Sequence, residues 1–115
     1  MFLNNFYYGL TENHPMNVKD EENAWEVEFR ATGLTKEDIN LEYKGEDILW
    51  IKAGDREKEK EEKFSRHEFW RDCFDTRLQL PSGVDIEGIE AKVENGILKI
   101  TIPKSKEGQR KIEVK

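Results

Sequence analysis

Apolar residues recur at every second position along most of the chain, the period of a β-strand that buries one face and wets the other. The pattern is sharpest in residues 89–103, where two alternating runs meet at Asn95-Gly96. An Asn-Gly link favours a type I′ turn, because both central positions need positive φ and the resulting twist suits paired strands. Taking that pair as the loop sets the register: Val93 faces Leu98, Ala91 faces Ile100 and Ile89 faces Ile102. Every apolar partner then falls on one face, and Lys92, Glu94, Lys99 and Thr101 fall on the other. Pro103 lacks the N–H to extend a ladder and closes the second strand.

Four more stretches share the period. Trp25, Val27, Phe29 and Ala31 alternate with Glu26, Glu28 and Arg30; Ile39, Leu41 and Tyr43 alternate with Asn40, Glu42 and Lys44. Leu49, Ile51 and Ala53 form one face of a strand whose other face, Ile48, Trp50 and Lys52, is also partly apolar and predicts cover on both sides. Phe74, Thr76, Leu78 and Leu80 alternate with Asp75, Arg77 and Gln79 before Pro81-Ser82-Gly83 breaks the pattern. A shorter strand is expected over residues 16–19, before the acidic turn of residues 20–23. Thr35-Lys36-Glu37-Asp38 has capping-box spacing and predicts a single helical turn joining two strands. Residues 55–63 are nine charged residues in succession, five acidic and four basic, and predict a long solvated loop. About seven strands and no long helix predict an all-β fold, a two-sheet antiparallel sandwich of Greek-key, immunoglobulin-like type.

Composition narrows what such a sandwich does. With 115 residues, 36% hydrophobic and 38% charged, the core is modest and the surface heavily solvated. The net charge of −6 and the lack of a basic face exclude a general nucleic-acid binder. Cys73, the single cysteine, cannot form an intramolecular disulfide, and no apolar run approaches the roughly 20 residues of a membrane span. A cytoplasmic, reducing compartment is the simplest expectation. Residues 1–14 hold Phe2, Leu3, Phe6, Tyr7, Tyr8 and Leu10 with little charge and no clean helical or strand period. They lack the basic start and long apolar stretch of a signal peptide and read as an apolar arm, either a frayed terminus whose aromatics cover a neighbouring surface or a sticky contact segment.

Candidate chemistry is sparse. His14 and His67 are too few and too scattered for a zinc site, and Cys73 has neither a CxxC context nor an evident His partner. No GxGxxG, GxxxxGK[ST] or GxSxG occurs, so neither a nucleotide cofactor nor hydrolase chemistry has an anchor. No enzyme, metal or cofactor is expected. The end of the chain says more: a polar linker, residues 104–111, leads to Ile112-Glu113-Val114. Two β-branched residues spaced by one project to the same side of an extended segment, as strand addition with two side-chain pockets requires.

The run Ala91-Lys92-Val93-Glu94-Asn95-Gly96-Ile97-Leu98-Lys99-Ile100-Thr101-Ile102-Pro103-Lys104 resembles the signature of the α-crystallin domain of small heat-shock proteins. Gly33-Leu34-Thr35-Lys36-Glu37-Asp38-Ile39 is similar to that family's turn before its fourth strand. Leu49-Trp50-Ile51-Lys52-Ala53-Gly54-Asp55-Arg56 is similar to its next strand end, and Leu80-Pro81 to the close of its seventh. Thr76 stands where the family usually has an Arg. The resemblance covers roughly residues 15–103, and Ile112-Glu113-Val114 matches the family's I-x-I/V anchor.

The resemblance implies an arm (1–14), an α-crystallin domain (15–103) and a tail (104–115). It implies an ATP-independent holdase that binds unfolding client proteins, with Phe2, Leu3, Phe6, Tyr7 and Tyr8 as client contacts, and a possible hand-over to ATP-dependent chaperones. Its partners would be copies of itself and its clients, with no nucleic acid and no membrane. A short strand near residues 64–69, anchored by Phe64, Phe69 and Trp70, is expected to pair with the 16–19 edge of a second subunit. Ile112 and Val114 are expected to dock on a neighbour, in a groove lined by Ile39, Leu41, Tyr43, Ile89, Ala91 and Val93.

Overall fold

The computed structural model describes residues 14–105 and 114 and the backbone of residues 7–10. Among these residues eight strands form: β1 (Tyr7–Leu10), β2 (Met16–Asp20), β3 (Ala24–Arg30), β4 (Ile39–Gly45), β5 (Ile48–Ala53), β6 (Phe74–Gln79), β7 (Glu90–Glu94) and β8 (Ile97–Pro103). One short helix, α1 (Arg56–Lys60), follows β5, and single 3-10 turns at Lys36–Asp38 and Ile86–Gly88 precede β4 and β7. Two antiparallel sheets result, in the orders β1-β6-β5-β4 and β2-β3-β8-β7.

The alternating rows account for the layers. Val27, Phe29, Leu98, Ile100 and Ile102 of one sheet, with Ala31 just past the end of β3, meet Leu49, Ile51, Ala53, Phe74 and Leu78 of the other, and all are buried. Removing an aliphatic side chain of this size from water contributes about 1.5–3 kcal/mol, so these rows dominate the stability. The β7–β8 hairpin has Val93 opposite Leu98 and Ala91 opposite Ile100, with Asn95 at φ 52° and Gly96 at φ 77°. Both central residues thus take the positive φ that the Asn-Gly pair predicts. In the turn before β4, the Thr35 N–H donates to Asp38 Oδ2 at 2.8 Å and the Asp38 N–H to the Thr35 carbonyl at 3.0 Å. On the outer face of β5, Trp50 is covered by cations: Lys44 Nζ lies 4.5 Å and the Arg77 guanidinium 4.9 Å from its ring, and its indole N–H donates to Asp75.

Three local expectations are corrected. Residues 7–10, where no strand period is legible, form β1 and pair with β6 from Tyr7↔Gln79 to Leu10↔Thr76. A neighbouring edge recruits them through backbone hydrogen bonds, which hydrophobic periodicity does not register. Within the charged run, Arg56–Lys60 is helical because the Asp55 carboxylate caps it, accepting the Lys58 N–H at 3.1 Å. The strand expected over residues 64–69 is one that pairs with a second subunit's edge, and in the single chain these residues take no strand conformation. Ile89 lies one residue before β7, so its expected pairing with Ile102 falls outside the ladder.

Candidate functional site

β4 and β7 are edge strands of different sheets, and both edges lie on the same side of the sandwich. Ile39 and Leu41 sit opposite Ala53 and Ile51 and so point toward the interior. Ala91 and Val93, opposite Ile100 and Leu98, belong to the apolar face of their hairpin. Among the described residues no further strand lies beyond either edge to cover them, and the two rows leave a cavity of about 250 Å³. Ile39, Leu41, Ala91, Val93 and Leu98 line it, together with Lys36 and Lys92. The groove has apolar side chains on both walls and unpaired backbone groups along both edges, which suits an extended segment inserting alternate side chains.

Four of the six groove residues expected from sequence therefore come together. Tyr43 does not join them: it is exposed, and its hydroxyl accepts the Asp47 N–H at 3.1 Å in the β4–β5 turn. Ile89 is half-buried and packs against the core. Leu98 was missing from that set because a fully buried hairpin residue reads as core; only the two-edge topology shows that it also floors the groove. Val114 is 91% exposed, and Ile112 lies outside the described residues.

The second feature is the long connection from β5 to β6. Glu59, in α1, is buried, and its carboxylate accepts the Arg71 N–H at 2.9 Å, with the Arg56 guanidinium 3.5 Å away. This pairing ties the outgoing and returning arms of the loop at its base. Nothing in the charged run marks Glu59 among its acidic neighbours, so periodicity could not single it out. Asp72 secures the return further: it accepts the Thr32 N–H at 2.8 Å and lies 3.2 Å from Arg30 Nε, and its own N–H donates to the Thr32 carbonyl at 3.0 Å. Burial pushes the Asp72 carboxyl up, but the bonds from Thr32 and Arg30 outweigh it and hold the group below its ordinary value.

Beyond this clasp the loop carries an aromatic cluster. His67 stacks on Phe64 with centroids 4.4 Å apart and meets Trp70 edge-on at 4.1 Å, while Arg56 lies 4.7 Å over the Trp70 ring. Phe64, Phe69 and Trp70 are exposed, Phe69 to 77%. Three large aromatic side chains on one exposed loop form an unsatisfied apolar surface.

Of the client-contact residues, Phe2, Leu3 and Phe6 lie outside the described residues, and Tyr7 and Tyr8 contribute their backbones to β1. His14 stacks on Phe74 at 4.1 Å, and its Nε2 donates to the Arg30 carbonyl at 2.7 Å, a packing role. Among the described residues no group of three or more His, Cys, Asp or Glu could hold a metal ion. Among the same residues no helix is long and apolar enough to cross a membrane.

A model of the Hsp20/alpha crystallin family matches residues 17–115, and thus both edges of the groove. The chain belongs to that family. A chloroplastic small heat shock protein of Pisum sativum is 38% identical over 101 residues, covering 87% of this chain and 42% of the relative. Small heat shock protein C2 of Rickettsia felis is 34% identical over 102 residues, covering 86% of this chain and 66% of the relative. This chain thus spans less than half of the pea protein and about two thirds of the Rickettsia one. The solved structure of a small heat-shock protein from Xylella fastidiosa, described as having a distinct high order structure, superposes with a TM-score of 0.66. That match is at 29% identity, over 92% of this chain and 99% of that one. Small heat-shock proteins are generally chaperones, so the family directs attention to surfaces that bind protein segments: the β4–β7 groove and the aromatic loop.

Proposed function

We propose that this chain is an ATP-independent holdase, a binding protein and not an enzyme, that captures unfolding proteins and assembles from dimers into larger oligomers. The observation that carries the reading is the groove between two open sheet edges. Its walls take apolar side chains, and its edges offer backbone hydrogen bonds to any extended segment. In the assembly we assign this groove to Ile112 and Val114 of a neighbouring subunit. The aromatic loop, with Phe64, Phe69 and Trp70, is assigned to the β2 edge of a dimer partner. Family membership supports both assignments. Phe2, Leu3, Phe6, Tyr7 and Tyr8 are the client contacts, and the high charge of the remaining surface keeps a client complex soluble. Because the protein binds the unfolded chain, it lowers aggregation without stabilising the client's native fold, and refolding falls to ATP-dependent chaperones. The single cysteine fits a reducing compartment, the cytoplasm being the simplest.

The test is light scattering of a heat-denatured client with no ATP present. An equimolar amount of this protein is expected to suppress most of the scattering. Replacing Phe2, Leu3, Phe6, Tyr7 and Tyr8 with serine is expected to weaken suppression several-fold. Unchanged suppression by that variant would remove the arm's role.

A further inference from the structure

The outermost strand of the β1-β6-β5-β4 sheet is a weak cover. β1 is four residues long and pairs only with β6, whereas β6 pairs with β5 over six residues. It carries Gly9 in its interior, and glycine there gives no side chain to pack and loses the most conformational freedom on ordering. The edge beneath is well made. Leu78 and Thr76 of β6 are fully buried on the inner face, and Arg77 and Gln79 stand on the outer one. The Thr76 hydroxyl, opposite Leu10 in the register, has no hydrogen-bond partner among the described residues. This cover therefore leaves a buried polar group unsatisfied, which a Ser, Thr or Asn in an incoming strand could correct. Beyond β1 the chain is fixed at His14 by its bond to Arg30 and its stack on Phe74, so β1 can leave without pulling β2 from its own sheet.

We propose that β1 is a displaceable cover strand, and that the β6 edge beneath it accepts an extended apolar segment of an unfolding client by strand addition. The present occupant indicates the ligand's chemistry: Tyr7-Tyr8-Gly9-Leu10 is uncharged and largely apolar, the kind of segment an unfolding protein exposes. The inference rests on the holdase reading and adds a second binding edge, on the side of the sandwich away from the β4–β7 groove.

The experiment locks the cover and watches the edge. Gly9 and Arg77 are register partners, and cross-strand partners in an antiparallel pair lie about 4.5–5.5 Å apart at Cα, within disulfide range. Gly9→Cys with Arg77→Cys, in a Cys73→Ser background and with the photo-cross-linker benzoylphenylalanine at position 79, is heated with a client in oxidised and reduced forms. The reduced form is expected to give client adducts at position 79, and the oxidised form at least threefold fewer. Equal adduct yields from a fully oxidised sample would overturn the proposal, as would adducts to a second copy of the chain in place of the client. Failure of unmodified protein and both forms alike to suppress client scattering would instead overturn the holdase reading itself. A second variant, Gly9→Pro, keeps every aromatic residue of the arm while removing a backbone donor from β1. In a chain with Arg77 unchanged and benzoylphenylalanine at position 79 it is expected to raise the yield of client adducts; a fall would contradict the cover role.

Discussion

Gly54 and Gly96 both hold positive φ, 73° and 77°, yet only one of them sits against a wall. A Cβ at Gly54 would stand 2.7 Å from Cys73 Sγ and 3.0 Å from the Asp72 carbonyl, whereas at Gly96 the nearest atom is Thr32 Oγ1 at 3.9 Å. Gly96→Ala is expected to cost about 1 kcal/mol, the backbone strain alone. Gly54→Ala is expected to cost at least about 2 kcal/mol, because overlap with the Cys73 sulfur and a tight approach to the Asp72 carbonyl are added to strain. Urea unfolding of the two variants checks the order. Asp72 gives a pH-dependent counterpart. Its folded pKa is depressed, so its stabilising contribution is full above the unfolded value of about 4 and is lost as pH falls through the lower folded value. Asp72→Asn keeps an acceptor for the Thr32 N–H but loses the charge facing the largely exposed Arg30. The expected loss is about 1 kcal/mol at neutral pH, shrinking below about pH 4. A difference independent of pH would contradict the assignment. At this scale the sequence disclosed what has a period: the inward rows from Trp25 to Ala31 and from Leu49 to Ala53 are buried as alternation predicts. Glu59 and Asp72 owe their roles to chain segments that meet only in the fold, and neither has a local signal.

Among the elements, the β7–β8 hairpin was the most legible, because turn chemistry and alternation there demand the same register. β1 and α1 were not. The first is held by a neighbour's edge and the second by one capping carboxylate in a run where every position is charged. The strand expected near residues 64–69 has no partner within one chain, and what stands there is a clasped base, Glu59 with Arg71, carrying an exposed aromatic tip. Such a tip fits an element that completes itself on a second subunit. Deleting residues 57–69 is accordingly expected to give monomers by sedimentation with the sandwich intact by circular dichroism. A dimer of undiminished affinity would place the dimer contact elsewhere.

For the whole molecule, the groove residues were legible from sequence to the extent that they lie on alternating strands. That the β4 and β7 edges converge was not, because edge position is a property of sheet order. Ile39, Leu41, Ala91 and Val93 line the groove, and on the proposed docking burial of Ile112 and Val114 there would contribute about 1.5–3 kcal/mol each before the tail is ordered. Ordering costs about 1–2 kcal/mol per backbone residue, so one docked tail is weak. On the proposed docking, several tails on linked dimers would gain from effective concentration, by factors of about 10²–10⁴, and the resulting oligomer would hold together yet exchange subunits. The central claim, that the open edge groove is the working part of this protein, meets its most direct test in native mass spectrometry of Ile112→Ala with Val114→Ala beside the unmodified chain. The account predicts that unmodified protein forms oligomers and that the variant shifts to dimers with its fold retained. An oligomer distribution unchanged by the two substitutions would contradict it.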